Sequence, residues 1–183
     1  MPQHDLVPQP WRAFLMELDG LLTEPVELHC LGGFVVTMHY GLIRSTGDID
    51  IVQIAPRGTR KTIIDVAKQG GELHQKHKVY LDHVTVAEVP MDYESRLTQM
   101  FPGQFNNLRL MALDPYDLAL TKLQRNGERD RSDVRFLART IPFDLKILEK
   151  RYQTELRPTL SNPERENSTM QLWKEMIEED RAT

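Results

Sequence analysis

Leu31-Gly32-Gly33-Phe34-Val35-Val36-Thr37-Met38-His39-Tyr40-Gly41-Leu42-Ile43-Arg44-Ser45-Thr46-Gly47-Asp48-Ile49-Asp50-Ile51 is the stretch on which the reading of this chain turns. From Asp48 to Ile54 polar and apolar residues alternate with period two, which predicts a half-buried strand. Asp48 and Asp50 then project from one face while Ile49 and Ile51 pack on the other. Two aligned carboxylates repel each other, and a divalent cation offsets that cost. Oxygen-only ligands select Mg²⁺ or Mn²⁺. At the other end, Gly32-Gly33 lack β-carbons, so their backbone N–H groups can approach phosphate closely, and a helix from Phe34 to Tyr40 adds its dipole. A Gly-Gly pair or an Asp-x-Asp alone says little. In this order, with apolar residues around each, they point together to a metal-dependent phosphate site.

Outward from that stretch, Val26 to Leu31 reads as a short strand running into the glycines. Trp11, Phe14, Leu15, Leu18 and Leu22 recur at helical spacing and predict a helix from Pro10 to about Leu22, with Pro10 at its first position. Thr59 to Lys68 predicts a helix stopped by Gly70-Gly71, and the β-branched run Val79 to Val89 predicts one strand or two, closed by Pro90. Asn107 to Leu113 predicts another strand. Then the pattern turns helical: Asp114 caps a helix with Pro115 at its first position, Asp130 caps Arg131 to Arg139, and another helix runs from Asp144 to Tyr152. A last amphipathic helix follows Asn162-Pro163, with Met170, Trp173, Met176 and Ile177 on its apolar side. The order implies an α+β fold: a small mixed or antiparallel sheet with flanking helices over residues 1–113, then a helical region over 114–183.

These motifs resemble the polymerase-beta-type nucleotidyltransferase superfamily, whose signature is a Gly-Gly or Gly-Ser turn, a short helix and a strand bearing Asp-x-Asp. Within it, the likeness is closer to the toxin components of abortive-infection type IV toxin–antitoxin systems and related families of unassigned function. Gly32, Gly33, His39, Arg44, Thr46, Asp48 and Asp50 carry that match. Pro115 to Leu123, followed by Arg125, Arg129-Asp130 and Asp133, is similar to the same branch's Asp-Leu-x-x-x-Lys-Leu-x-Arg helix and Arg-Asp-x-x-Asp motif. The likeness covers about residues 26–140.

The resemblance implies a nucleotidyltransferase fold and Mg²⁺-dependent transfer of a nucleoside monophosphate from an NTP to a hydroxyl of RNA, such as a tRNA acceptor, or of a protein. For a toxin, an antitoxin protein is the implied partner. Asp48 and Asp50 would hold two metal ions, with Asp82, or Asp92 behind it, as a third carboxylate that also helps deprotonate the acceptor. Lys122 would meet the triphosphate, and Asp130 or Asp133 would orient Lys122 or contact base or ribose. Gly32, Gly33, Arg44 and Thr46 would complete the nucleotide site. The competing expectation is a catalytically silent nucleotide-binding or antitoxin-like module on the same fold, which binds a partner through its C-terminal helices.

Composition narrows the setting. The chain has 183 residues, 23 Lys+Arg against 27 Asp+Glu, and a net charge of −4. Cys30 is its only cysteine, so no intrachain disulfide and no Cys-based zinc site is expected, and a reducing, cytoplasmic setting fits. Met1 to Pro10 has no basic segment leading into an apolar core, and no apolar run approaches the roughly 20 residues that span a bilayer. Residues 122–151 carry nine basic and five acidic side chains, a net of +4 that offers a place for RNA phosphates. His74 and His77 are spaced for a shared metal, but Gln75, Lys76 and Lys78 around them read as an exposed turn. Cys30, in an apolar strand, reads as a buried structural thiol.

Overall fold

Trp11, Phe14, Leu15 and Leu18 bury one stripe of helix α1, Trp11–Gly20, in the computed structural model, which describes residues 6–85 and 87–182. The leader reading at residues 1–5 and Val86 of the β-branched run lie outside the described residues. Pro10 precedes α1 rather than opening it, and the chain leaves the helix two residues before Leu22. Asp19, in the last turn, explains that exit: its buried carboxylate accepts from the backbone N–H groups of Asn106, Asn107 and Leu108 at 3.0, 2.7 and 2.7 Å. A charge-assisted clamp of this kind fixes where the last strand of the sheet begins.

Strand β1, Val26–Leu31, runs into α2, Gly32–Met38, and a loop then leads to β2, Asp48–Ala55. Ile49, Ile51 and Ile54 are buried on β2 while Asp48 and Asp50 stay half-buried. Strict alternation would expose Ile54. It is buried because Val52 bulges: Cys30 pairs with Ile51 but His29 pairs with Gln53, and the extra residue resets the phase.

Helices α3, Arg60–Ala67, and α4, Glu72–His77, precede β3, Tyr80–His83. The residues read as an exposed turn at His74–Lys78 therefore form α4, with Leu73 buried beneath it and Lys78 closing it in the left-handed region. The expected strand from Val79 to Val89 stops at His83, and from Ala87 the chain packs with the C-terminal helices. Strands β4, Thr98–Met100, and β5, Leu108–Ala112, complete a five-stranded mixed sheet of order β3-β2-β1-β5-β4. Within it β2 pairs parallel with β3 and β1 with β5, while the β1–β2 and β4–β5 pairs are antiparallel.

The chain divides into two compact units. One holds the sheet and its helices, through Thr85 and again over Leu97–Leu113. The other takes Ala87–Arg96 and everything from Asp114 onward. In this second unit α5, Pro115–Leu120, is capped by Asp114, whose side chain accepts from the Asp117 N–H. Helix α6, Glu128–Thr140, opens three residues earlier than Asp130 would place it as a cap: Gly127 is the cap residue, and Asp130, in the first turn, accepts from its N–H at 3.0 Å. Helix α7, Leu145–Arg151, runs on into a π-helical turn over Tyr152–Leu156, and α8, Glu164–Ala182, buries Met170, Trp173 and Ile177. Asp117 is fully buried and bridges Arg96, at 2.8 and 3.0 Å, to Arg151, at 3.0 Å, which ties the Ala87–Arg96 segment to the helices. Burial pushes the Asp117 carboxyl up, against the lowering pull of Arg96 and Arg151. No helix among the described residues is long and apolar enough to cross a membrane.

Candidate active site

The strand register builds the carboxylate cluster. Asp50 lies beside Asp82 across the parallel β2–β3 pair, and Asp48 lies beside Tyr80, so all four side chains share one face. Asp48, Asp50 and Asp82 each offer an oxygen within 4.8 Å of the others. Of the two candidates for the third carboxylate, the structure therefore brings Asp82 to the pair. Asp92 belongs to the other unit, where its backbone N–H donates to Glu155.

Gly32 is shaped around this cluster. Its φ is +71°, and a β-carbon there would lie 1.8 Å from Asp50 Oδ2 and 2.7 Å from Asp50 Cγ. The Asp50 carboxylate thus occupies the space any other residue's side chain would need, which explains glycine at the β1–α2 junction. Gly33 faces the other way, and a β-carbon on it would meet Arg44 Nη2 at 3.2 Å and Thr46 Oγ1 at 3.9 Å. The Thr46 hydroxyl lies 3.1 Å from the Asp48 carbonyl oxygen and 3.4 Å from its carboxylate. Gly32, Gly33, Arg44, Thr46, Asp48 and Asp50, picked out as single letters of a motif, converge on one spot in the first unit with Asp82, the separately named third carboxylate.

Three carboxylates this close repel one another, and a cation among them offsets that repulsion. Their donor set is all oxygen, with Asp82 exposed and the other two half-buried, and it fits a hard divalent ion such as Mg²⁺ or Mn²⁺. Two neighbours feel the charge. The Tyr80 phenol is held above its ordinary pKa, first by burial and then by Asp48, Asp82 and Asp50. The Cys30 thiol is pushed far up by burial, with Asp50 adding to it, so it is a structural group and not a nucleophile.

Tyr80 was not singled out from the sequence. Its two-residue spacing from Asp82, in a β-branched run, is the signal that places it on the acidic face. His74 packs edge-on against its ring at 5.1 Å, and His74 Nδ1 accepts from the Gly70 N–H at 2.9 Å. His77 instead meets Glu17 at 2.7 Å. The two histidines thus serve separate structural contacts. His39 lies just past α2, and burial lowers its pKa.

The second unit gathers the remaining expected residues. Lys122 is buried, with Nζ donating to Asp133 Oδ2 at 2.9 Å and lying 3.7 Å from Asp130 Oδ1. Arg125 donates twice to Asp130, at 2.8 and 2.6 Å. Burial alone would raise the Asp130 pKa, but Arg125, the Gly127 N–H and Lys122 outweigh it and hold the carboxyl below the usual range. Much of the basic stretch 122–151 is likewise engaged: Arg135 and Arg139 meet Asp180, and Arg151 meets Asp114 and Asp117.

A family model described as nucleotidyltransferase of unknown function (DUF6036) matches residues 15–181, and the chain belongs to that family. The match extends past the motifs at both ends and takes in α7 and α8. No curated protein matches the chain, and no solved structure does.

Proposed function

We propose that this member of the nucleotidyltransferase family transfers a nucleoside monophosphate from an NTP to an acceptor hydroxyl, with Asp48, Asp50 and Asp82 as the metal-holding carboxylates. The observation that carries this reading is the carboxylate cluster of oxygens within 4.8 Å, into which only a glycine at position 32 admits Asp50. In the reaction an acceptor oxygen bonds to the α-phosphorus, the bond from that phosphorus to the bridging oxygen breaks, and pyrophosphate leaves. Mg²⁺ bound by the three aspartates would neutralise the triphosphate and the developing charge on the leaving group. Asp82, on the edge strand and exposed, would take the acceptor's proton at a carboxylate oxygen. Arg44, against Gly33, would orient phosphate oxygens with its planar fork. Thr46 would steady Asp48 through its hydroxyl. The acceptor would be an RNA end or a protein hydroxyl, and the cellular role that of a type IV toxin restrained by an antitoxin protein.

The test is incubation of the protein with each α-labelled NTP, Mg²⁺ or Mn²⁺, and total RNA or cell lysate. Label is expected on one macromolecular class with the wild type and none with Asp48→Asn or Asp50→Asn. Mn²⁺ titration followed by electron paramagnetic resonance reports the site separately. Label transfer by none of the NTPs, together with Mn²⁺ binding unaffected by Asp48→Asn, would refute the enzyme reading and leave the silent binding module.

A further inference from the structure

We propose that a second site, a basic cleft beside edge strand β3, binds the phosphates of a single-stranded RNA acceptor; this rests on the nucleotidyl-transfer reading of the carboxylate site. The cleft has a volume of about 340 Å³ and is lined by Arg57, Arg60, Lys61 and His83, with Asp65 as its one acidic wall. It lies wholly within the first unit, between the segment that leaves β2 and the end of β3.

Position links it to the carboxylates. Arg60 Nη2 lies 3.2 Å from His83 Nδ1, and His83 follows Asp82 directly, a Cα step of about 3.8 Å. Alternation along β3 turns His83 to the face opposite Asp82, so the cleft and the acidic site lie on the two sides of one strand. Because β3 is the edge of the sheet, no further strand stands between them. A polyanion approaching Asp48, Asp50 and Asp82 meets repulsion from three carboxylates, and positive charge set one residue away along its path offsets that. A protein hydroxyl needs no such compensation, which is why the charge favours RNA.

The cations here are also held differently from those of residues 122–151. Lys61 is 89% exposed and meets Asp65 at 2.6 Å one helical turn on, a solvated pair worth little and readily exchanged for phosphate. Lys122, by contrast, is locked in the interior against Asp133. A cleft of about 340 Å³ has room for part of one strand's sugar-phosphate backbone.

The experiment measures binding of a fluorescein-labelled single-stranded RNA 12-mer to the full chain, without NTP, by anisotropy across a salt series. Arg57→Ala/Arg60→Ala/Lys61→Ala is expected to weaken binding about tenfold or more and to flatten the log K against log salt slope by about 2, or about 0.7 per lost phosphate contact. Arg12→Ala/Lys76→Ala/Arg109→Ala, which removes the same charge elsewhere on the unit, is expected to change neither. Melting temperature and Mn²⁺ binding show that the cleft variant is folded. RNA affinity and slope unchanged in the cleft variant, or equal losses in both triple variants, would overturn the proposal, as would a wild type that does not bind the RNA. RNA bound through the cleft without label transfer would remove the enzyme reading and leave the cleft. Label transferred to protein at the wild-type rate by the cleft variant would do the reverse.

Discussion

Replacing Gly32 by alanine separates a metal site from an acidic turn. The new β-carbon would lie 1.8 Å from Asp50 Oδ2, against an ordinary contact of about 3.5 Å. Backbone at φ +71° costs a residue with a β-carbon about 1–2 kcal/mol. Turning Asp50 away from its favoured rotamer adds about 0.5–1.5 kcal/mol. The sum, about 1.5–3.5 kcal/mol, is measurable as a shift in the urea midpoint. Withdrawing Asp50 from Asp48 and Asp82 should also weaken Mn²⁺ binding by about 10- to 100-fold, the range found when ligand positioning is disturbed. Gly33→Ala is the internal comparison: its β-carbon meets only Arg44 Nη2 at 3.2 Å, the far end of a long side chain, and the Thr46 hydroxyl at 3.9 Å. It should leave Mn²⁺ binding intact and weaken NTP binding instead. If Gly32→Ala binds Mn²⁺ like the wild type while losing stability, or if the two variants behave alike, the reasoning from the Gly32–Asp50 contact is wrong.

Lys122→Met leaves Asp133 and Asp130 buried without their ammonium and is expected to cost about 3–5 kcal/mol in urea unfolding; Lys122→Met/Asp133→Leu should recover part of that loss, and fully additive costs would argue against the pair. Asp130 has a folded pKa below its unfolded one, so its contribution is present above the usual carboxylate range and lost as pH falls through it. The melting-temperature gap between wild type and Asp130→Asn should therefore narrow from about pH 6 to about pH 3, and a widening gap would contradict the pairing with Arg125. Cys30, buried and with its thiol pKa raised, should resist alkylation at pH 8 in the native protein and react at once in urea; rapid native labelling would show that β1 opens.

Most of the sheet unit was legible because its signals are local. Strand β1 was read to its ends, and β2 within one residue, since apolar alternation and the glycines bound them. The carboxylate cluster was legible by two routes: Asp48 and Asp50 sit two apart on one strand, whereas Asp82 was named through the family resemblance alone, because it joins them by β2–β3 register, a contact that leaves no trace in spacing. Tyr80, two residues before Asp82 on the same strand, comes to the acidic face with it. Helix α4 was masked by its polarity, since Leu73 is the only residue it buries. The strand expected through Val89 failed because β-branched residues report a preference for extended backbone and not a partner to pair with. Past His83 the chain instead leaves the sheet and contributes Arg96 to Asp117 and Glu155.

Charge shows the same limit and turns it into a selection between surfaces. Counted along the chain, residues 122–151 are the basic segment, and a phosphate-binding role follows from the count. In three dimensions several of those cations serve the interior or the helix packing: Lys122 meets Asp133, Arg151 meets Asp114 and Asp117, and Arg135 and Arg139 meet Asp180. A cation bound to a buried carboxylate is costly to recruit for a ligand, because moving it strands the partner. Arg57, Arg60 and Lys61 lie in an overall acidic half of the sequence and attract no notice by counting, yet they line one cleft with a single exposed aspartate among them. What decides whether a basic residue is available to a polyanion is the dielectric around its counter-ion. Availability here favours the short segment after β2 over the longer one that carries more positive charge.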